Sequence, residues 1–439
     1  MSDKDKEWQK SSTRANRFAS AATFIAPLVV LGLACGCQHQ LMPTPNLYSY
    51  GRDDAFAHVP PEYRSNEVDV LYVTDRLPEG DTKTGPKYGY GRSHSLAFGT
   101  CVVEIGHNIS WEDLARESRT AKRRLSLPLS VKQVREIARF PSVPHPIVEK
   151  GPRPIDDPAV VAEYAATEAK LHTDLAARLS HTDRKHAYIF VHGFANTFDD
   201  AAFTTAELWH FYGRQGVPIC YTWPAGRGMS SLGYDYDSVS CEFTVFHLKQ
   251  LLRSLGRCEP IEKVHILAHS RGTEVVTSAL RELNIEHTHA PQSARETLKL
   301  GNVVLVAPDL DFDVYQQREC GERFTFMPER VTIYTSPTDR ALAMADALTL
   351  GVARLGQLQP SELTPGHRNW LEMSPVTLVE ALVHSGYIGH SYFTGSPAAS
   401  SDLILVLRDN RPPGADHGRP LKQRMTNFWE LRDDYLEGK

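Results

Sequence analysis

The sequence predicts an α/β fold in which a mostly parallel sheet carries helices on both faces. From residue 186 onwards, short uninterrupted apolar runs alternate with segments of helical periodicity, which is the pattern of strands buried on both sides. The chain is also long enough, at 439 residues with 41% hydrophobic residues, to enclose a large core. Ligands bind such sheets at the carboxyl ends of the strands, so the residues directly after each apolar run are the functional candidates.

The predicted elements follow one another in a regular order. Two strands rich in Val, Leu, Tyr and Phe are expected at 68–76 and 95–106, and a helix capped by Asp157 is expected at 157–179. Further strands are predicted at 186–194, 217–223, 264–268, 302–310, 330–339 and 375–383, the last as the final strand, and further helices at 197–213, 238–256 and 273–283.

The N-terminus has the pattern of an export signal. Basic residues are spread over the first 17 positions, the uncharged stretch "FASAATFIAPLVVLGLA" follows, and Cys35 and Cys37 close it. A cysteine after small residues resembles the signal of a bacterial lipoprotein, although neither cysteine has leucine at the usual third place before it. We expect residues 1–37 to be this signal with Cys37 lipidated, residues 38–65 to be a linker, and the protein to be exported to the bacterial cell envelope as a membrane-anchored lipoprotein. Lipidation of Cys35, a retained membrane anchor and simple secretion are the alternatives.

Charge and cysteine content exclude several classes of protein. The 48 Lys and Arg residues against 53 Asp and Glu residues leave a net charge of -5, which provides no basic field for nucleic acid. The cysteines after the leader are widely spaced and form no CxxC pair, which argues against a zinc site and against a disulfide framework, while a single disulfide stays open. We expect no metal and no organic cofactor.

The string "VHILAHSRGTEVV" places a serine where a predicted strand turns into a helix. Small residues stand two positions before and after Ser270, at Ala268 and Gly272, as a sharp strand–turn–helix requires. The usual version of this turn has glycine at both places. The alternative interpretation is that Ser270 only caps the helix.

Two backbone amides are candidates for the oxyanion hole that acyl transfer needs. One is the amide of the residue after the serine, Arg271, and the other follows the strand that ends in "VHGF", at Phe194. Gly193 would let the backbone come close, and the alternative is a plain strand-ending turn.

A catalytic triad also needs an acid and a histidine after the serine. We favour Asp339, in the loop of "VTIYTSPTDRAL", over the rival acid Asp311 of "APDLDFD". Among the histidines beyond the last predicted strand, His390 stands in a loop before an aromatic pair and is favoured over His384 and His417.

The strings "VHGF", "AHSRG", "APDLD", "SPTDRA" and "GHSYF", together with "LYVTDR", resemble the alpha/beta-hydrolase superfamily and, within it, the bacterial family of unknown function DUF900. The resemblance spans residues 69–403. It implies the alpha/beta-hydrolase fold over residues 66–439, a mostly parallel eight-stranded sheet, and Ser270, Asp339 and His390 as the triad. Arg271, where the family commonly has methionine, and residues 107–186, which we expect to contain an insertion, depart from the family pattern.

These observations predict a serine hydrolase, esterase- or lipase-like, that cleaves a carboxylic ester or related acyl substrate through an acyl-enzyme. We expect the binding partner to be a small-molecule or lipid-like acyl compound, and we expect the N-terminal anchor to hold the protein at a membrane surface. An acyltransferase or amidase on the same triad and a non-catalytic envelope protein are the alternatives. The Gly-rich and aromatic stretch 223–237 is expected to form a pocket wall, a lid or a plain surface loop.

Overall fold

The structure is a computed structural model that describes residues 38–150, 153–288, 290, 292–348 and 353–437. The predicted signal at 1–37, with its lipidation site Cys37, lies outside the described residues. The described part of the chain forms one compact unit that begins at Gln38.

An 11-stranded sheet forms the centre of the molecule, with strand order β12-β13-β11-β10-β9-β8-β6-β7-β1-β2-β3. A separate hairpin consists of β4 and β5. The strands are β1 Glu67–Thr82, β2 Gly85–Ile105, β3 Leu129–Arg139, β4 Ile147–Lys150, β5 Arg153–Asp156, β6 His186–Val191, β7 Val217–Thr222, β8 Lys263–His269, β9 Leu300–Val306, β10 Arg330–Thr335, β11 Val376–Leu382, β12 Lys422–Met425 and β13 Phe428–Arg432.

Helices cover both faces of this sheet. The main ones are α1 Trp111–Glu117, α2 Pro158–Ser180, α3 Phe198–Phe211, α4 Ser231–Arg257, α5 Gly272–Glu286, α6 Ala294–Leu298, α7 Arg340–Leu348, α8 Pro365–Met373 and α9 Pro397–Leu407. Short helical turns lie at Asn46–Ser49, Phe312–Val314 and Tyr392–Gly395, a π-helix at Tyr315–Cys320, and 3₁₀ turns at Ala55–His58, Pro61–Tyr63, Phe324–Phe326, Leu355–Gln357, Pro360–Glu362 and Ala415–His417.

The mostly parallel sheet is confirmed, but the predicted count of eight strands is wrong. The strands from β13 through β11, β10, β9, β8, β6 and β7 to β1 pair in parallel, and antiparallel β2, β3 and β12 extend the two edges. The strand at 376–382 is not the final one, because β12 and β13 follow it. β12 is a short, charged edge strand. β13 lies between β12 and β11 and is largely buried, but it has only five residues, two of them charged, and so lacks the long apolar run of the central strands.

Alternate residues of the central strands serve two separate hydrophobic clusters. Ile189 and Ile266 pack with apolar residues of α2, α4 and α5 on one face, and Phe190 and Leu267 pack with α3 and α9 on the other. Both faces of the central strands are therefore buried, which explains why their sequences are continuous apolar runs.

Two segments outside the central pattern are part of the packed unit. Residues 38–65, for which we expected a linker, bury Leu41, Leu47, Tyr48 and Phe56 in the second cluster. The stretch 107–186 supplies β3 at the sheet edge and α2 on one face, with Asp157 accepting the Ala159 amide as the predicted cap. The insertion expected there stays a prediction.

The part of the chain that the structure describes contains no helix both long enough and apolar enough to cross a membrane. The five cysteines in that part are all buried and none forms a disulfide with another.

Candidate active site

Ser270 occupies a sharp turn between β8 and α5. Its φ of +53° lies in the left-handed region, which is costly for a residue with a side chain and is found where the surrounding structure enforces it. The Ser270 amide donates to the Val306 carbonyl at 2.9 Å. A Cβ at Gly272 would lie 2.3 Å from the His192 carbonyl oxygen, so glycine is needed there. The helix takes Arg271 as its N-cap and has no side-chain cap, so Ser270 does not serve as one.

The "HGF" turn lies beside this serine because β6 and β8 are neighbours in the sheet. The chain proceeds from β6 outwards to β7 and then returns to place β8 on the other side of β6, which makes this pair the topological switch point where open α/β sheets bind ligands. Gly193 is the second residue after β6 and lies within the "HGF" turn. A Cβ built on it would lie 2.8 Å from the Cβ of Ser270, so the two backbones approach as closely as glycine permits.

The two predicted oxyanion-hole amides have no protein acceptor. Within the described residues, neither the Phe194 nor the Arg271 N–H donates a hydrogen bond. Amides left open beside a nucleophile are what stabilisation of a tetrahedral oxyanion requires.

A buried network that the sequence did not reveal fixes the "HGF" turn. His192 Nδ1 donates to the Gly193 carbonyl at 2.9 Å, and its Nε2 accepts from the Trp223 amide at 3.1 Å and from Arg76 at 3.2 Å. Burial and the Arg76 guanidinium lower the pKa of His192 to about 3, so this ring stays neutral. Arg76 also donates to the Asn196 carbonyl at 2.8 Å and thereby ties the strand β1 string "TDR" to the turn.

Asp339 and His390 are in contact at the carboxyl end of the parallel strands, the same end at which Ser270 lies. His390 Nδ1 lies 2.7 Å from Asp339 Oδ2, and the Asp339 side chain is fully buried. The other carboxylate oxygen, Oδ1, accepts from the Ala341 and Leu342 amides at 3.0 and 3.1 Å. Asp339 therefore caps α7 and orients the histidine at once, and its contact with Nδ1 leaves His390 Nε2 free of this carboxylate.

His269, the residue before the serine, joins the two halves of the site. Its ring centroid lies 4.6 Å from that of His390, and its Nε2 donates to the His390 carbonyl at 3.3 Å. Burial, with the nearby His390, keeps the pKa of His269 well below its usual value, so the ring is a neutral donor. Ser270 Oγ and His390 Nε2 share no hydrogen bond among the described residues, and such a bond commonly tightens only when substrate binds.

The rival site residues lie in other roles. Asp311 Oδ1 accepts the Val314 amide at 2.9 Å as the cap of a helical turn. His384 is almost fully exposed and pairs with Asp433, and His417 lies in an exposed 3₁₀ turn. None of the three contacts Ser270, His390 or Asp339 among the described residues.

Comparison with known proteins identifies the scaffold. The family model for alpha/beta hydrolases of unknown function, DUF900, matches residues 167–408, more than half of this chain. The chain belongs to this family. Among solved structures, a predicted CIB-like hydrolase from Thermoplasma acidophilum is similar at 16% identity, over 52% of this chain and 88% of that chain, with a TM-score of 0.30, which is too low to bear on the site. No curated protein matches this chain.

Arg271 points into a buried charge network. Its guanidinium lies 2.7 Å from Glu274, 3.6 Å from Asp309 and 4.5 Å from the centroid of the Tyr234 ring. Burial opposes the charge, but Asp309 and Glu274 outweigh it and raise the pKa of Arg271. The Arg271 side chain is therefore held by contacts within the protein.

The stretch 223–237, expected to form a pocket wall, a lid or a plain surface loop, is a loop only in its first half, because α4 begins at Ser231. Asp237, buried near its start, accepts the Ala195 amide at 2.9 Å and the Gly226 amide at 3.2 Å. The Asp237 carboxylate therefore links the "HGF" turn to the loop that precedes α4.

Proposed function

We propose that this alpha/beta hydrolase cleaves a carboxylic ester or related acyl compound through an acyl-enzyme on Ser270. The observation that carries the proposal is the 2.7 Å contact between His390 and buried Asp339, at the sheet edge where the strained Ser270 turn also lies. An imidazole oriented by a carboxylate, at the same end of the sheet as a serine in a sharp strand–helix turn, is the arrangement that activates a hydroxyl.

In this mechanism, His390 Nε2 takes the Ser270 Oγ proton as the oxygen attacks the substrate carbonyl carbon. The Phe194 and Arg271 amides hold the resulting oxyanion, and Asp339 stabilises the imidazolium. Collapse of the intermediate releases the alcohol, which takes the proton from His390, and leaves the acyl group on Ser270. A water molecule, deprotonated by His390, then attacks the acyl-enzyme, and the released serine regains its proton.

Exposed apolar side chains near the site support an apolar substrate. Met229, just before α4, and Leu232, in its first turn, are 82% and 74% exposed. Tyr387 and Ile388, just before His390, are 83% and 56% exposed. Large apolar side chains that are exposed to solvent near a binding site favour a lipid-like or aggregated acyl substrate over a polar one.

Hydrolysis of acyl esters of graded chain length tests the proposal. We expect turnover by the wild-type chain, a loss of several orders of magnitude in Ser270→Ala with the circular dichroism unchanged, and retained activity in the matched variant Ser278→Ala, which changes a buried serine of the following helix. Folded wild-type protein that hydrolyses none of these esters contradicts it. Product analysis with an added alcohol distinguishes hydrolysis from acyl transfer. Assays with anilides of the same acyl groups detect amidase activity.

We further propose that the protein acts at a membrane surface of the bacterial cell envelope, anchored through lipidated Cys37. The support is the signal pattern of residues 1–37. Metabolic labelling with a palmitate analogue should mark the wild type and Cys35→Ala but not Cys37→Ala. Labelling that disappears only in Cys35→Ala, or that is absent from the wild type, contradicts this assignment.

A further inference from the structure

A cavity of about 290 Å³ lies against the sheet face under β10 and β11. Its floor is formed by Ile333 and Leu378 of these strands, and its walls include Leu355, Leu358 and Leu371. These five side chains are all buried, so the interior of the cavity is apolar. Neither Ser270 nor His390 lines it.

The volume sets the size of what the cavity holds. Native cores contain few voids larger than a water molecule, so an apolar space of this volume is a departure from ordinary packing. An apolar cavity of about 150 Å³ stays dry and accepts benzene. By proportion, about 290 Å³ accommodates roughly ten to twelve carbon atoms.

The mouth of the cavity carries polar groups. Phe312, Gln316, His367 and Trp370 line it and are partly exposed, unlike the floor. His367 Nδ1 accepts the Thr364 amide at 3.3 Å, which leaves the proton on Nε2. Burial lowers the pKa of His367, so the ring is a neutral donor. Gln316 Nε2 donates one hydrogen to the Phe312 carbonyl at 3.3 Å. Its second hydrogen and His367 Nε2–H remain as donors for an oxygen acceptor at the entrance.

The π-helix Tyr315–Cys320 forms one side of the cavity. Helices of this type are rare and frequently occur at functional sites. Tyr315 is 4% exposed, and its hydroxyl has the Cys320 thiol as its hydrogen-bonding neighbour. A thiol is only a weak hydrogen-bonding group, so a polar atom in the cavity would complete the hydrogen bonding of this buried hydroxyl.

The segment 353–358 contributes to both the cavity and the candidate active site. Leu355 and Leu358 line the cavity, while the Leu355 amide donates to the Leu310 carbonyl at 2.9 Å and Gln357 Nε2 donates to the Asp339 carbonyl at 2.9 Å. The cavity is thus separated from the triad acid by one segment of chain.

We propose that this cavity binds an unbranched alkyl chain of roughly ten to twelve carbons whose oxygen-bearing head lies at the mouth beside His367 and Gln316, as in a medium-chain fatty acid. The site is separate from the Ser270 chemistry and goes beyond the proposed hydrolysis.

Calorimetric titration of the full-length Ser270→Ala chain with decanoate tests the site without turnover. We expect saturable binding of one molecule per chain. Gln316→Trp should narrow the mouth and weaken the affinity by roughly tenfold or more, whereas the matched variant Gln317→Trp, at an exposed position outside the cavity, should bind like the parent. No saturable binding by folded protein, or equal affinity in the two tryptophan variants, overturns the proposal.

Fluorescence locates the bound chain. An ω-brominated undecanoate should quench the tryptophan emission of the parent, and Trp370→Phe should remove most of that quenching while calorimetry shows retained binding. Quenching unchanged by Trp370→Phe places the ligand elsewhere and overturns the proposal. Decanoate binding without ester hydrolysis by the wild type contradicts only the proposed function, and hydrolysis without binding contradicts only the cavity site.

Discussion

The His390 ring is held by Asp339 through a 2.7 Å contact, and the same carboxylate caps α7 with its other oxygen. Because Asn retains the capping oxygen but cannot stabilise an imidazolium, Asp339→Asn should keep the fold and lower kcat by about three to four orders of magnitude. Steady-state hydrolysis of the best ester, with thermal unfolding as the check on folding, measures both effects.

Asp311→Asn is the matched control for this change. Asp311 caps a neighbouring helical turn and does not touch His390, so its replacement should leave kcat within a few-fold and cost at most about 1 kcal/mol of stability. Should Asp311→Asn lower kcat more than Asp339→Asn with stability intact, Asp311 is the acid.

Gly193→Ala tests the close approach of the "HGF" turn to the serine. The added methyl group would lie 2.8 Å from the Ser270 Cβ, so the turn or the serine must shift. A displacement of about 1 Å at such a site costs on the order of a hundredfold in rate, and we expect at least that loss in kcat/KM. Gly366→Ala, in α8 with its nearest atom at 3.8 Å, is the control and should leave activity unchanged. Equal activity in both variants contradicts the placement of this turn.

Glu319 should make stability depend on pH. The side chain is 3% exposed, and burial, only partly offset by Arg318 and Arg281, raises its pKa to about 7. The unfolded chain ionises this group near pH 4.5 and the folded chain near pH 7, so its contribution to stability falls as the pH rises between these values and stays low above them.

Glu319→Gln should therefore be more stable than the wild type at pH 8, by up to about 3 kcal/mol, with the gain vanishing towards pH 4.5. Urea unfolding at a series of pH values measures this difference. A Glu319→Gln chain that is equal to or weaker than the wild type at pH 8 contradicts the prediction.

The elements that could be predicted from the sequence are those whose structure is set by a local residue pattern. The central strands β6, β8 and β9 bury both faces and so read as apolar runs, and the bend at Ser270 needs small residues at Ala268 and Gly272. The start of α4 was missed because "SLGYDYD" is polar and contains glycine, while its cap is visible only in the contact of Ser230 Oγ with the Gly233 amide.

The supports of the site could not be predicted in the same way. Arg76 and His192 are separated by 116 positions in the chain, and their contact depends on the pairing of β1 with β7 and of β7 with β6. His269 looked like an ordinary neighbour of the serine, and only the fold brings it against the His390 loop. Such contacts follow from strand order, which no single segment encodes.

Labelling with a fluorophosphonate probe tests most directly whether Ser270 is an activated nucleophile. We expect stoichiometric modification of Ser270 in the wild type, no labelling of Ser270→Ala, and strongly slowed labelling of His390→Ala. Folded wild-type protein that remains unlabelled, or a Ser270→Ala chain that labels as fast as the wild type, would contradict this expectation.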